Sequence, residues 1–435
     1  MSETYNGPWV ETQVAGCAEE WNLSAGDRSP GGPAYSLRDH QAREIAYDAE
    51  LKAVEWEARR VPRTAAARAA SRENIIASFA QFAANALDLE PDTTALLTHD
   101  FLPAGVEFAL AAQRFDSTLS RADIIQACRN AWTACGLQPL LGKPMGITPS
   151  ILAYSLLYPY SDNYLDATNV PTDAKLTFSQ RFRDRLHGAS SPAKNAREAK
   201  VWALVELIEA QYPREAFPQV FDSLLAIHQA QEDSLAQLRG MQPCGDANLL
   251  QLSFAKGGTS VLADACLARG WLTRQESQLA FAWGALLQLG DDLQDVREDL
   301  RRGSVTLFTR AAFRGEPLDS LVTQLLGLCE RIGAHMNALP NGTHRLKNLL
   351  RMSWRSLIIG AVADAQEFFS PRFLLEAERC SPFRFEFLRA HREKLAGREG
   401  LYPVLFDLFI EARCHDTGEP LLRGNRQARR LETVL

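Results

Sequence analysis

Residues 279–303 read LAFAWGALLQLGDDLQDVREDLRRG. The first eleven residues are apolar on nearly every side of a helix, the pattern of a helix buried all round. Three acids follow at every fourth position: Asp291, Asp295 and Asp299. On an α-helix that spacing stacks three carboxylates along one stripe, each about 6 Å above the last and turned by about 40°. Like charges so placed destabilise a helix by roughly 0.2–0.5 kcal/mol per pair, so the stripe asks for a cation. Mg²⁺ suits it, because it takes one or two carboxylates, keeps several waters and fills its remaining positions with phosphate oxygens. Leu293, Val296 and Leu300 form an apolar stripe roughly 130° away, which would also suit a solvated acidic face. Continuity with the buried run favours an interior cleft for at least part of the acids.

A second acidic pair closes another apolar segment. Residues 147–166 read ITPSILAYSLLYPYSDNYLD and end in Asp162 and Asp166, one helical turn apart. Pro159 is expected to kink that helix or restart it. An isolated Asp-x-x-x-Asp pair is usually surface. Two such sites at the ends of core helices point to one shared pocket.

The rest of the chain is helical in pattern. Alanine-rich or apolar-periodic stretches occupy about 41–59, 64–88, 104–114, 121–136, 194–211, 217–239, 247–269, 274–301, 318–337, 345–369, 383–395 and 401–413. No alternating strand pattern stands out, so the fold class expected is all-α, a single large helical bundle. Between Pro243 and Pro317 there is no proline, which marks the helices in that interval as the heart of the bundle. Residues 1–38 carry Gly7, Pro8, Gly26, Pro30, Gly31, Gly32 and Pro33 without periodicity, and an irregular, flexible arm is expected there. The helical domain then spans 39–415, and 416–435 is a polar tail.

Composition bounds the function classes. A net charge of −6 argues against a nucleic-acid footprint, and the basic run at 423–430 reads as a solvated tail. No apolar run reaches transmembrane length and no secretory start is present, so a cytoplasmic protein without stable membrane insertion is expected. The eight cysteines stand singly, which predicts reduced thiols, mostly in the core. The histidines show no zinc-ligand spacing. In Lys256-Gly-Gly-Thr-Ser260 the lysine precedes the glycines and no strand precedes the segment, unlike a nucleotide-binding phosphate loop.

The segment 288–303 resembles the second aspartate-rich motif of squalene and phytoene synthases, and Asp162 with Asp166 resembles their first. It is also similar to the metal triad of terpene cyclases, with Asp291, Asp295 and Asp299 in its three places. The resemblance is therefore to the class I isoprenoid synthase superfamily, over roughly residues 160–310. Bacterial large-terpene synthases, of the tetraprenyl-curcumene synthase type, look closest. The second motif and the basic segment of chain-elongating prenyl synthases are missing. The Tyr-x-x-Val-Ala-Gly-x-Val-Gly stretch of head-to-head synthases is absent too, its place taken by residues 254–264. Gly257 to Ser260 instead looks like the helix break that terpene cyclases set beside the departing diphosphate.

The resemblance implies a helical bundle with a central active-site cavity and a Mg²⁺-dependent class I terpene synthase, a lyase of isoprenoid biosynthesis. Asp162, Asp166, Asp291, Asp295 and Asp299 would bind two or three Mg²⁺, with Mn²⁺ as a substitute. The substrate would be a prenyl diphosphate, C15 or longer being favoured. Arg181, Arg185, Lys256, Thr259, Ser260 and Arg302 are the candidates for the diphosphate. Tyr158, Phe254, Phe281 and Trp283, together with Tyr154 and Trp354, are the candidates for an aromatic cavity that shelters a carbocation. A homodimer is common among such enzymes. Two alternatives stay open: a head-to-head synthase of the squalene and phytoene type, and a non-catalytic isoprenoid- or lipid-binding bundle. Five mutually repelling acids argue against the latter.

Overall fold

The structure is a computed structural model that describes residues 4–26, 31–60, 64–166, 169–238, 245–396 and 408–409. The side chains of residues 65, 158, 162, 166, 235–238 and 393–396 also lie outside that description, as do the tail at 416–435 and nearly all of the helix expected at 401–413.

All regular structure among the described residues is helical. In chain order the helices are α1 (Gly7–Leu23), α2 (Leu37–Arg59), α3 (Ala65–Asn85), α4 (Pro91–Ala95), α5 (Leu102–Phe115), α6 (Arg121–Leu140), α7 (Pro149–Asp166), α8 (Thr172–Leu186) and α9 (Ala196–Gln211). They continue as α10 (Pro218–Leu238), α11 (Asp246–Arg269), α12 (Arg274–Gln294), α13 (Val296–Arg302), α14 (Leu307–Phe313), α15 (Asp319–Asn337), α16 (His344–Asp364), α17 (Pro371–Arg379) and α18 (Phe385–Ala396). Buried apolar side chains from Tyr5 to Phe385 form one contiguous core.

The proline-free interval forms the heart of that core, as its sequence leads one to expect. In α11 every residue from Val261 to Ala268 is buried, and in α12 only scattered positions reach the surface. Helices with no polar face must be surrounded. Here α10, α6 and α1 pack on α11, while α15 and α16 pack on α12. The turn between α11 and α12 is built locally. Gly270 takes φ +93°, where a side chain would be strained and would also strike Phe217 and Tyr212. Thr273 and Glu276 then form a capping box, with the Thr273 N–H donating to Glu276 Oε2 at 2.8 Å.

The glycine pair does not break its helix. α11 runs unbroken through Gly257 and Gly258, and the reason for the glycines lies across the interface. A Cβ on Gly257 would overlap the carbonyl of Gly284 in α12, and a Cβ on Gly284 would overlap that of Gly257. Gly258 leaves room for the Phe281 ring. Close packing of two backbones, rather than an opening for a ligand, explains these residues.

The expected irregular arm at 1–38 is corrected in part: residues 7–23 form α1, while 31–36 carry no regular structure. Asn6 caps α1, accepting from the Trp9 N–H at 3.1 Å, and Pro8 sits in its first turn. Gly7 and Pro8 therefore start a helix instead of preventing one. Val14, Cys17 and Trp21 are buried, and α1 packs on α11, α12 and α15.

A candidate active-site cavity

A cavity of about 630 Å³ lies among α6, α7, α8, α10, α11, α12 and α16. That is within the range of small-molecule sites, roughly 300–1,000 Å³. Leu157, Phe182, Leu186, Leu224, Ile227, Leu287 and Leu357 supply apolar wall, and Tyr154 and Trp354 supply aromatic wall. Asp291 and Asp295 line it together with Lys256, Arg129, Asn130, Gln288 and His228.

The acids come from a helix end. α12 stops at Gln294, Asp295 has φ −90° and ψ 2°, and α13 starts at Val296. The Asp295 N–H still donates to Asp291 O at 2.9 Å and the Asp299 N–H to Asp295 O at 2.8 Å. The three-acid stripe is thus interrupted at its middle member. Asp291 and Asp295 line the cavity; Asp299, half-buried, is not among its lining residues.

Burial pushes the Asp291 carboxyl up to about 6; Asp292 and Asp295 push the same way, while Arg129 and Lys256 oppose them. Asp299 is raised by burial and by the charges of Asp292 and Asp295. Asp292, absent from the sequence-level stripe, is buried against α11. It accepts from Ser253 Oγ at 2.6 Å and from Gln288 Nε2 at 2.8 Å, and burial raises its pKa as well. Three neighbouring carboxyls thus resist ionisation, and added positive charge would relieve all of them.

From the facing side, α7 presents Tyr154, Leu157 and Ser161 to the cavity. Pro159 is accommodated inside α7, which continues to Asp166. The side chains of Tyr158, Asp162 and Asp166 lie outside the described residues. Tyr154 ties α7 to α11, its hydroxyl donating to Ser260 O at 3.2 Å.

The other sequence candidates divide sharply. Lys256 and Ser260 line the cavity. Thr259 is buried and turns back on its own helix, donating to Ala255 O at 2.7 Å. Arg181 is held by both oxygens of Glu198 at 2.9 Å and by Pro192 O. Arg185 is held by Glu209, and Arg302, well exposed, pairs with Glu298 one turn earlier. These three arginines are engaged in ion pairs away from the cavity lining. Phe254, Phe281 and Trp283 are core residues: Phe281 packs on Gly258 and Trp9, and Trp283 on Trp354 at 5.0 Å between ring centroids.

Sequence inspection missed Arg129, Asn130 and His228. Each is a polar residue within an otherwise apolar helical stretch, which is the signal that could have found them. Asn130 Nδ2 lies 2.9 Å from Asp264 Oδ1 and 3.2 Å from Ser155 Oγ, so a buried acid orients the amide.

Among the described residues no three His, Cys, Asp or Glu side chains converge as a metal-binding group. Mg²⁺ does not require three, since one or two carboxylates with water and phosphate oxygens suffice. Asp291 and Asp295 are hard oxygen donors on one side of the cavity, and burial disfavours the ionisation of Asp291 without a neighbouring cation; the pair fits that ion. In comparisons with known proteins the chain matches no protein-family model and no curated protein.

Proposed function

We propose that this protein is a Mg²⁺-dependent class I terpene synthase that ionises a prenyl diphosphate and directs the resulting carbocation to a terpene product. The observation that carries the reading is the meeting, in one cavity, of Asp291, Asp295, Lys256 and Arg129 with a wall of leucine, phenylalanine, tyrosine and tryptophan. An allylic diphosphate has these two needs. Its head is a concentrated anion, and its chain becomes a cation that water must not reach.

Asp291 and Asp295 would hold Mg²⁺, joined in this reading by Asp162 and Asp166, and the metal would supply Lewis acidity to the departing diphosphate. Lys256 and Arg129 place positive charge beside the same acids and bind the diphosphate oxygens. Tyr154 and Trp354 offer ring faces to the cation, each worth about 0.5–2 kcal/mol. The apolar wall excludes water that would quench it.

The test is release of pyrophosphate, with mass spectrometry of the products, from a panel of C10 to C35 prenyl diphosphates in the presence of Mg²⁺. Asp295→Ala, and separately Asp162→Ala, are expected to lower turnover by several orders of magnitude while helical circular dichroism is retained. Binding of these diphosphates without release of pyrophosphate under any divalent ion would assign the protein to isoprenoid binding instead.

A further inference from the structure

We propose that the side-chain carbonyl of Gln288 is a ligand of the metal held by Asp291 and Asp295, in the place expected for Asp299. This rests on the terpene synthase reading. Gln288, Asp291 and Asp295 all line the cavity, whereas Asp299 is not among its lining residues. The Asp295 N–H still donates to Asp291 O, so the helical winding persists to the last of the three. At 100° per residue they lie within about 60° of one another around the helix axis. Cβ atoms three or four positions apart are about 5–6 Å from each other, so neighbouring members can reach one ion, as metal sites in helical bundles do at that spacing.

The direction of the amide decides the role of Gln288. Its Nε2 donates to Asp292 Oδ1 at 2.8 Å, and the other Asp292 oxygen is bonded to Ser253 Oγ at 2.6 Å. Asp292 is 7% exposed and is not part of the cavity lining. The amide nitrogen is therefore fixed on the protein side, and Oε1 is the opposite end. Among the described residues no donor reaches Oε1, yet it is not one of the enclosed atoms left without a partner, so it keeps accessible surface. Gln288 meets the open space of the cavity, and Oε1 is the end free to face it.

A carboxamide oxygen is a hard, neutral donor of the kind that Mg²⁺ and Mn²⁺ accept beside carboxylates and water. Being neutral, it adds a ligand without adding a third charge to repel Asp291 and Asp295. Asp292 acts as a positioning residue. By accepting the N–H it holds the amide in one orientation and raises the electron density at Oε1, as partners behind a metal ligand do. Ser253 fixes Asp292 in turn, so the ligands stand on α12 while their support comes from α11.

The experiment titrates Mn²⁺, as a probe for Mg²⁺, into the full-length chain with saturating pyrophosphate and follows free Mn²⁺ by its electron paramagnetic resonance. Gln288→Leu and Asp292→Asn are each expected to weaken binding by about tenfold or more. Gln288→Glu, which keeps an oxygen in place, should bind at least as tightly as the native chain, and Asp299→Asn should leave the affinity unchanged. A purely structural role for Gln288 would lower the unfolding temperature of Gln288→Leu and spare its Mn²⁺ affinity, and that result overturns the assignment. So does a loss in Gln288→Glu or Asp299→Asn as large as that in Gln288→Leu. A further measurement starts from the native chain, with glutamine labelled with ¹³C at the carboxamide carbon. Bound Mn²⁺ should show a ¹³C coupling by electron–nuclear double resonance and lose it in Gln288→Leu. Bound Mn²⁺ without that coupling overturns the assignment and leaves the terpene synthase reading in place. If the native chain binds no Mn²⁺ with pyrophosphate, that reading itself fails and this assignment falls with it.

Discussion

Asp291, Asp292 and Asp299 all have carboxyls raised above their usual range, with burial as the leading cause. For Asp291 the folded value is about 6 against 3.8 for the free residue. Below the lower value both folded and unfolded chains carry the proton, and the shift contributes nothing. Between the two the folded chain alone holds it, and stability falls as pH rises. Above the folded value the fold carries in full the cost of an anion that the unfolded chain would solvate freely. Asp291→Asn should therefore stabilise the metal-free protein at pH 7.5, by on the order of 1 kcal/mol after solvent screening, and gain nothing below pH 4. Thermal unfolding in the presence of a chelator at the two pH values checks this; an equal gain at both would remove the charge as its cause. The same variant should lose turnover, because the neutral side chain that relieves the fold no longer draws in a cation.

At the scale of helices, the crossing of α11 and α12 sets the position of Lys256 and Ser260 relative to Gln288 and Asp291. Since a Cβ on Gly284 meets the backbone of Gly257, Gly284→Ala must push the helices apart, costing about 1–3 kcal/mol or more in denaturant unfolding. Gly360 in α16 has nothing near its missing Cβ, and Gly360→Ala should add about 0.5–1 kcal/mol. If both variants behaved alike, close packing would not be the reason for Gly284. Most of the helices were legible because their 3.6-residue periodicity is a property of the local chain. The glycine pair was misread as a helix break because what it accommodates lies nearly thirty residues away. Arg181 and Arg185 looked available for a diphosphate for the same reason: their partners Glu198 and Glu209 sit on α9, and sequence order does not show which helix α8 packs against. Phe254, Phe281 and Trp283 were correctly placed on buried helices, but periodicity does not distinguish a side chain facing the core from one facing a cavity.

Across the whole molecule, the cavity is walled by helices from α6 to α16, so a ligand that bridges its two sides should stabilise the fold as a unit. A ligand bound only by the folded chain adds about 2.7 kcal/mol at a hundred times its dissociation constant. Mg²⁺ with pyrophosphate should therefore raise the unfolding temperature in a concentration-dependent way, and Asp295→Ala should abolish the rise while leaving the ligand-free transition in place. Trp21, 5% exposed on α1, gives the contrasting case. It belongs to the core but not to the cavity lining, and α1 packs on α11, α12 and α15. Trp21→Ala should cost about 3–5 kcal/mol by leaving a hole in that packing. Because it is not one of the residues lining the cavity, it should keep the ligand-induced rise on top of a lower baseline. Loss of the rise in Trp21→Ala, or its survival in Asp295→Ala, would separate the stabilisation from the cavity and place the anion and its metal elsewhere on the molecule.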